Sequence, residues 1–208
     1  MIGALYLIAP LMTWMALANQ RTRSVRFWSV GGLLFGLGAM GIGLRDQMPP
    51  VLGYTAVAVV LWLGCAMKIV SLRDELKRPA RWTELLLLLV LAAFVFETFR
   101  SQVPHEVIRF SVGLSMVIGL FGWLAWLSFE LFRTERLQSM LWLALVYVLA
   151  SLLNWVRLVF VITGLAEPEA TSSDMHNILT IVSGMCLALV ANFAFVAAYL
   201  ERASRDLT

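Results

Sequence analysis

Charged residues are scarce in this sequence. Asp, Glu, Lys and Arg together make up 14% of the 208 residues, whereas hydrophobic residues make up 61%. Soluble domains contain about one quarter charged residues, so this chain has too little polar surface to cover a water-soluble globule of its size. The composition predicts an integral membrane protein whose first partner is the lipid bilayer.

Cysteine and histidine are also rare. Cys65 and Cys186 lie in apolar stretches, where thiols act as small apolar side chains, so we expect no disulfide and no metal site. His105 and His176 lie at predicted helix ends, which excludes a haem held by histidines deep in the membrane. The chain also lacks His-Glu-x-x-His, paired intramembrane aspartates and a Gly-x-x-x-x-Gly-Lys loop. We therefore expect no catalytic residue and no cofactor.

Lys68 and Lys77 are the only lysines. Neither lies in the last apolar stretch, where a retinal protein needs its Schiff-base lysine, so that class is excluded. No basic segment precedes the first apolar stretch, and we expect no cleavable signal peptide. The net charge of +3 is better explained by basic residues at membrane ends than by a nucleic-acid partner.

Long apolar runs are what the chain does contain. A membrane-spanning helix needs about 20 mostly apolar residues, and the runs are continuous, which favours helices over the alternating strands of a barrel. The sequence therefore predicts an all-α membrane protein with seven transmembrane helices. The predicted spans are Ile2–Ala18, Phe27–Leu44, Val51–Val70, Trp82–Phe99, Val107–Phe132, Met140–Leu165 and Asn177–Leu200.

Basic residues mark one side of the predicted bundle. All but four of the 16 Lys and Arg residues lie in the first, third and fifth connectors or in the C-terminal tail, if Lys68 is counted with the third connector. Basic connectors face the cytoplasm. We therefore expect a periplasmic N-terminus and a cytoplasmic C-terminus in the bacterial inner membrane, with a transmembrane domain at 1–200 and a connector starting at 201–208.

The second predicted helix is rich in glycine. Gly32 and Gly36 have the spacing at which small residues let two helices approach closely in lipid. This pattern is typical of a tight contact within the bundle. A dimer face, or a hinge that lets the helix shift, is the alternative interpretation.

The four remaining arginines and several polar residues are predicted at the outer level of the bundle. Asn154 and Arg157 lie three residues apart, on one helical face. Arg157 is eight residues before Leu165, or about 12 Å inside the helix end, and ionisable groups at such depth usually face a protein interior or a wet cavity. The other residues predicted at this level are Arg45, Glu97, Arg100, Arg109 and His176.

Two interpretations of this polar group remain open. In the first, Arg157 forms a structural ion pair with Glu97 and the others anchor helix ends. In the second, the group forms an outward-facing pocket whose four arginines favour a small anionic or carbonyl-bearing ligand. Bundles usually hold ligands in such helix-lined cavities.

Several short segments resemble the N-terminal multi-span sensor regions of bacterial GGDEF proteins, the diguanylate cyclases. They are Arg26-Phe-Trp28 before a glycine-rich helix, Gly43-Leu-Arg45 with Pro49-Pro50, Leu61-Trp-Leu-Gly64, and Leu200–Thr208. The family's cyclase domain opens with Asp-x-Leu-Thr-Gly-Leu-x-Asn-Arg. Asp206-Leu-Thr208 is similar to the start of that signature, one position shorter.

The resemblance implies a sensory input module. A ligand would act through the last helix and through Glu201, Arg202, Arg205 and Asp206 on a cytoplasmic effector after Thr208, either a diguanylate cyclase or a histidine kinase. It also implies a homodimer, and the cyclase residues themselves are not in this sequence. A small transporter or channel, for which broken and repeated helices would be typical, and a structural subunit of a membrane complex are the alternatives.

Overall fold

The computed structural model describes residues 2–17, 22–101, 105–165 and 175–205, and within these ranges the regular structure is entirely helical. Seven helices follow one another. They are α1 (Ile2–Ala16), α2 (Arg23–Leu44), α3 (a π-helical turn Val51–Ala56 that continues as Val57–Glu75), α4 (Trp82–Ser101), α5 (Glu106–Glu135), α6 (Gln138–Ile162) and α7 (Met175–Arg205).

Five of these helices, α2 to α6, are long and apolar enough to cross a membrane. This confirms the predictions of an all-α fold and of a membrane protein with transmembrane helices. Helix α1 contributes a shorter apolar segment, Tyr6–Ala16. At 1.5 Å per residue its 15 residues extend about 22 Å, less than the ~30 Å hydrocarbon core.

Several helices extend further than the apolar runs alone predicted. Helix α2 starts at Arg23, because the Thr22 side chain caps it by accepting a hydrogen bond from the Val25 N–H (3.3 Å). Helices α3 and α7 end at Glu75 and Arg205 instead of Val70 and Leu200. The added residues are mostly polar, and the two extended ends pair with each other through Glu75 of α3 and Arg202 of α7.

Six helices form a closed ring. Going around it, α1 contacts α2, α2 contacts α3, α3 contacts α5, α5 contacts α6, α6 contacts α7, and α7 returns to α1. Helix α4 lies outside this ring, against α3 and α5. Chain order alone predicts contacts between successive helices, so the α3–α5 contact that excludes α4 is a finding of the structure.

Helix α4 has a broad exposed apolar surface. Leu87, Val90 and Phe94 are each about two-thirds exposed, whereas Leu85, Leu89 and Phe96 face inward. One stripe of side chains on α4 is thus buried against α3 and α5, and the opposite side is apolar and open. In a membrane protein this open side suits lipid chains.

Helices α2 and α3 approach each other through glycines. A Cβ atom added at Gly64 of α3 would lie 2.5 Å from the Phe35 backbone nitrogen and 2.6 Å from the Gly31 carbonyl oxygen of α2. Only glycine fits where two backbones are this close. Gly32 and Gly36 lie against α1 in the same way, next to Pro10 and Tyr6, so both glycines of the Gly-x-x-x-Gly make contacts within the chain.

The ends of the helices form two distinct groups. At one end, which we call the arginine end, lie Arg45, Tyr54, Arg109 and Arg157. At the other, which we call the connector end, lie Thr22, Glu75, Glu135, Gln138 and Arg202. Side-chain contacts within each group show that α2 and α6 run opposite to α3, α5 and α7. The ring neighbours α3 and α5 therefore run parallel to each other.

Candidate functional site: a cavity inside the helix ring

The helix ring encloses a cavity of about 880 Å³. All six ring helices line it, and α4 contributes only Phe96. A cavity of this size lies within the range of small-molecule sites, which are usually apolar with a few placed polar groups. The cavity extends from the arginine end of the bundle toward the level of Lys68 on α3.

Two arginines converge on one tyrosine at the arginine end. The guanidinium carbon of Arg109 lies 4.5 Å from the centroid of the Tyr54 ring, and that of Arg45 lies 5.3 Å from it. All three side chains line the cavity. Because cations favour the faces of aromatic rings, Tyr54 holds two positive charges that would otherwise repel each other at this position.

The π-helical turn at the start of α3 places Tyr54. In this turn a Cβ atom at Gly53 would lie 2.6 Å from the carbonyl oxygen of Arg45, so the turn lies directly against the end of α2. Such π-helical turns are rare and are often found at functional sites. The apolar run that predicted α3 contains no signal for this change of helix type.

Arg157 and Asn154 line the same end of the cavity from α6. The guanidinium carbon of Arg157 lies 4.9 Å from the centroid of the Phe110 ring on α5. Asn154 donates its amide to the Ala150 carbonyl one turn earlier (2.7 Å). The predicted shared face of these two residues is therefore the face of α6 that lines the cavity.

The structure brings together four of the seven predicted pocket residues: Arg45, Arg109, Asn154 and Arg157. Glu97 and Arg100 form an ion pair with each other on α4, and Thr55 donates a hydrogen bond to Glu97. Glu97 thus pairs with Arg100 and not with Arg157, and neither residue of this pair lines the cavity. The side chain of His176 lies outside the described part of the chain.

Lys68 is a cavity residue that the predicted pocket does not include. Its charge counts with the third connector in the charge pattern, but only 5% of the residue is exposed and it lines the inner part of the cavity. Its Nζ lies 5.1 Å from the Trp28 ring centroid and 5.4 Å from that of Phe35. Lys68 lies two turns before the helix end at Glu75. This depth is the sequence signal that could have identified Lys68 as an interior residue.

Aromatic side chains surround the inner part of the cavity. Phe121 links Phe35 (centroids 6.1 Å apart) to Tyr147 (5.7 Å). Tyr6 of α1 packs on the other side of Phe35, at 5.9 Å. Five ring helices thus converge here around Lys68.

Trp28 connects the inner part of the cavity to α7. Its indole N–H donates to Asn192 Oδ1 (3.1 Å), and its ring stacks on Phe195 with centroids 4.1 Å apart. Thr13 of α1 donates to the same Asn192 oxygen (3.3 Å). Buried hydrogen bonds of this kind hold membrane helices together, and here they fix the contact of α1, α2 and α7.

Ionic contacts hold α7 at the connector end. Arg202 pairs with Glu75 of α3 and, at 2.7 Å, with Glu135 of α5. Tyr199 donates to Glu75 and lies 3.1 Å from the Thr22 hydroxyl. The end of α7 is therefore bound to the ends of three other helices.

Glu201 adds a further contact at the connector end. It accepts hydrogen bonds from the N–H groups of Gln138 and Ser139 and pairs with Arg205. Burial opposes its ionisation, but these hydrogen bonds hold the pKa of Glu201 below its ordinary value. The contribution of this carboxylate to stability is thus present at neutral pH and is lost as the pH falls through the folded-state pKa. Asp206 lies outside the described residues.

Comparisons of the chain with protein-family models, with curated proteins and with solved structures give no match. The resemblance to the sensor regions of GGDEF proteins therefore remains a prediction. The structure itself supplies the arguments for a function.

Proposed function

We propose that the chain is a ligand-binding input module of the bacterial inner membrane. In this proposal all seven helices span the bilayer, the arginine end faces the periplasm, and the connector end faces the cytoplasm. The cavity binds an anionic amphiphile, and α7 transmits occupancy to an effector that follows Thr208, for which a diguanylate cyclase is our first expectation. A homodimer, which would bring two effectors together, belongs to the same proposal.

The observation that carries the proposal is the convergence of Arg45, Arg109 and Arg157 on one cavity from three regions of the fold. Guanidinium groups bind carboxylates and phosphates through paired N–H donors. None of the described lining residues carries a carboxylate. The remaining wall is largely apolar, so the cavity suits a ligand with an anionic head and an apolar body.

The contacts of Trp28 support a route from the cavity to α7. Lys68 lines the cavity and packs against Trp28, and Trp28 contacts Asn192 and Phe195 of α7. Farther along α7, Tyr199 and Arg202 contact the ends of neighbouring helices. A ligand shifts such a system only if it binds two arrangements with different affinity. We propose that the two arrangements differ in the position of α7 at the connector end.

The ligand proposal is tested with the 208-residue chain in lipid nanodiscs. Long-chain carboxylates and sulfonates should raise its melting temperature, whereas neutral alcohols of equal chain length should not, since ligands that bind the folded state stabilise it. Arg157→Gln should weaken anion binding by about tenfold or more, which corresponds to one lost charged hydrogen bond. Its melting temperature without ligand is the reference for this comparison.

Arg133→Gln is the matched control, because Arg133 is exposed and lies in the last turn of α5, at the connector end. This variant should bind anions as the wild type does. Equal binding of anions and alcohols, or full anion binding by Arg157→Gln, would contradict the proposed site.

The signalling part of the proposal is tested by the nucleotide sequence that follows the codon for Thr208. We expect the reading frame to continue beyond Thr208 into a cyclase or kinase domain, and anionic ligands to change the activity of that domain in the full-length protein. A stop codon directly after Thr208 would contradict the input-module proposal and leave a transporter or a structural subunit as the alternatives.

A further inference from the structure

Two polar groups in the inner part of the cavity have no hydrogen-bond partner among the residues that the structure describes. The Tyr147 hydroxyl is fully buried and unpaired. The Lys68 ammonium lies over the faces of Trp28 and Phe35, and no hydrogen bond joins it to the described residues. Buried polar groups are normally satisfied, and a buried charge without an anionic partner is costly. Both residues line the cavity, so a molecule that fills the inner part of the cavity lies next to them.

The separation between these groups and the arginines follows from the helices that carry them. Lys68 lies fourteen residues after Tyr54 on α3, which corresponds to about 21 Å along the helix axis. Tyr147 lies ten residues before Arg157 on α6, or about 15 Å. Two different helices thus place donors at both ends of the same cavity, some 15–20 Å apart.

The wall between the two ends is apolar. Val57, Ala58 and Leu61 line it from α3, and Leu114 and Val117 line it from α5. A short polar anion bound at the arginines would not reach Lys68 and Tyr147. A simple fatty acid would fill the wall but would place a methyl group against the two inner donors.

We propose that the ligand is an elongated amphiphile with polar groups at both ends. Resting on the proposed function, this inference specifies the ligand class: an anionic head at Arg45, Arg109 and Arg157, an unbranched apolar chain, and a terminal oxygen acceptor at Lys68 and Tyr147. A carboxylate, a carbonyl or a hydroxyl group at the far end fits these donors, and a carboxylate fits the ammonium best.

Trp28 gives the inner contact a further role. Because Nζ of Lys68 lies over the Trp28 ring, a carboxylate that draws the ammonium into the cavity weakens that cation–π contact. Trp28 in turn contacts α7 through Asn192 and Phe195. The far end of the ligand is therefore the part that acts on α7, and the head group mainly anchors it.

The experiment compares hexadecanedioate with hexadecanoate on the 208-residue chain in zwitterionic nanodiscs, with empty nanodiscs as the reference for partitioning. Binding is followed by tryptophan fluorescence and by the melting temperature. Wild-type protein should bind hexadecanedioate about tenfold or more tightly than hexadecanoate, as expected for an additional charged hydrogen bond. Hexanedioate, which is much shorter than the separation between the two groups of donors, should show no such advantage over hexanoate.

Two variants test the inner donors. Lys68→Met should remove the preference for hexadecanedioate and leave the affinity for hexadecanoate unchanged. Tyr147→Phe should reduce the preference while the aromatic ring at this position is kept. Because Tyr147→Phe removes only a hydroxyl group, it keeps the test valid if Lys68→Met does not fold. Arg157→Gln should weaken both ligands equally.

The outcomes separate this inference from the proposed function. If hexadecanoate binds in an Arg157-dependent way and hexadecanedioate binds no better, the arginine site stands and the two-ended ligand is wrong. A preference that persists in both Lys68→Met and Tyr147→Phe also overturns the inference. If neither acid binds wild-type protein above empty nanodiscs, both proposals fail.

Discussion

Gly64→Ala is expected to destabilise the helix ring strongly. The new methyl group would lie 2.5 Å from the Phe35 backbone nitrogen and 2.6 Å from the Gly31 carbonyl oxygen. Because both neighbours are backbone atoms, α2 and α3 must move apart. Overpacking typically lowers the free energy of unfolding by about 1–3 kcal/mol, and we expect a loss at least this large. The melting temperature in nanodiscs should fall by several degrees, and the cavity should bind anions more weakly because α2 and α3 line it together.

Gly119→Ala is the matched control for this substitution. Gly119 is an exposed helical residue of α5, and an added Cβ atom there meets nothing within 4 Å. Alanine favours a helix by about 0.5–1 kcal/mol over glycine, so this variant should be as stable as the wild type or slightly more stable. Equal stability of Gly64→Ala and Gly119→Ala would show that the two backbones are not in close contact.

Trp28→Ala should destabilise the bundle strongly. The side chain is fully buried, stacks on Phe195 and donates to Asn192. Its removal leaves a cavity and takes away the aromatic face over the Lys68 ammonium, and truncations of buried Trp typically cost about 3–5 kcal/mol. Thermal denaturation should report this loss, and limited proteolysis should show a loosened α7.

Trp126→Ala makes the same chemical change at an exposed position. Trp126 is 65% exposed on α5, where it faces away from the ring. Its truncation should leave the melting temperature almost unchanged. If the two variants lose similar stability, Trp28 does not hold α7 in the way that its contacts indicate.

The helices could be predicted from the sequence because their signal is local. Continuous apolar runs fix the positions of membrane-compatible helices, and the structure starts α4 at Trp82 and ends α2 at Leu44 as the runs predict. The shared face of Asn154 and Arg157 also follows from helical spacing. Helical spacing therefore predicts that both residues lie on one side of α6, without knowledge of any other helix.

What the sequence could not supply is which helices are neighbours. The position of α4 outside the ring, against α3 and α5, depends on how apolar surfaces match across the whole bundle. Every predicted span looks similarly apolar from sequence alone. The role of Lys68 was missed for the same reason, since a lysine two turns inside a helix end resembles a snorkelling anchor until the rings of Trp28 and Phe35 are placed beside it.

The closure of the ring between α1 and α7 has a consequence for how the protein is made. Of the seven described helices, α1 is synthesised first and α7, its other neighbour in the ring, is synthesised after the remaining six. At typical elongation rates, on the order of ten seconds or more separate their synthesis. During that time the Thr13 hydroxyl and the Trp28 indole lack their hydrogen-bond acceptor Asn192, so the wall of the cavity is completed only when α7 is inserted. Truncation before α7 should therefore yield an open bundle whose exposed polar groups invite membrane quality control.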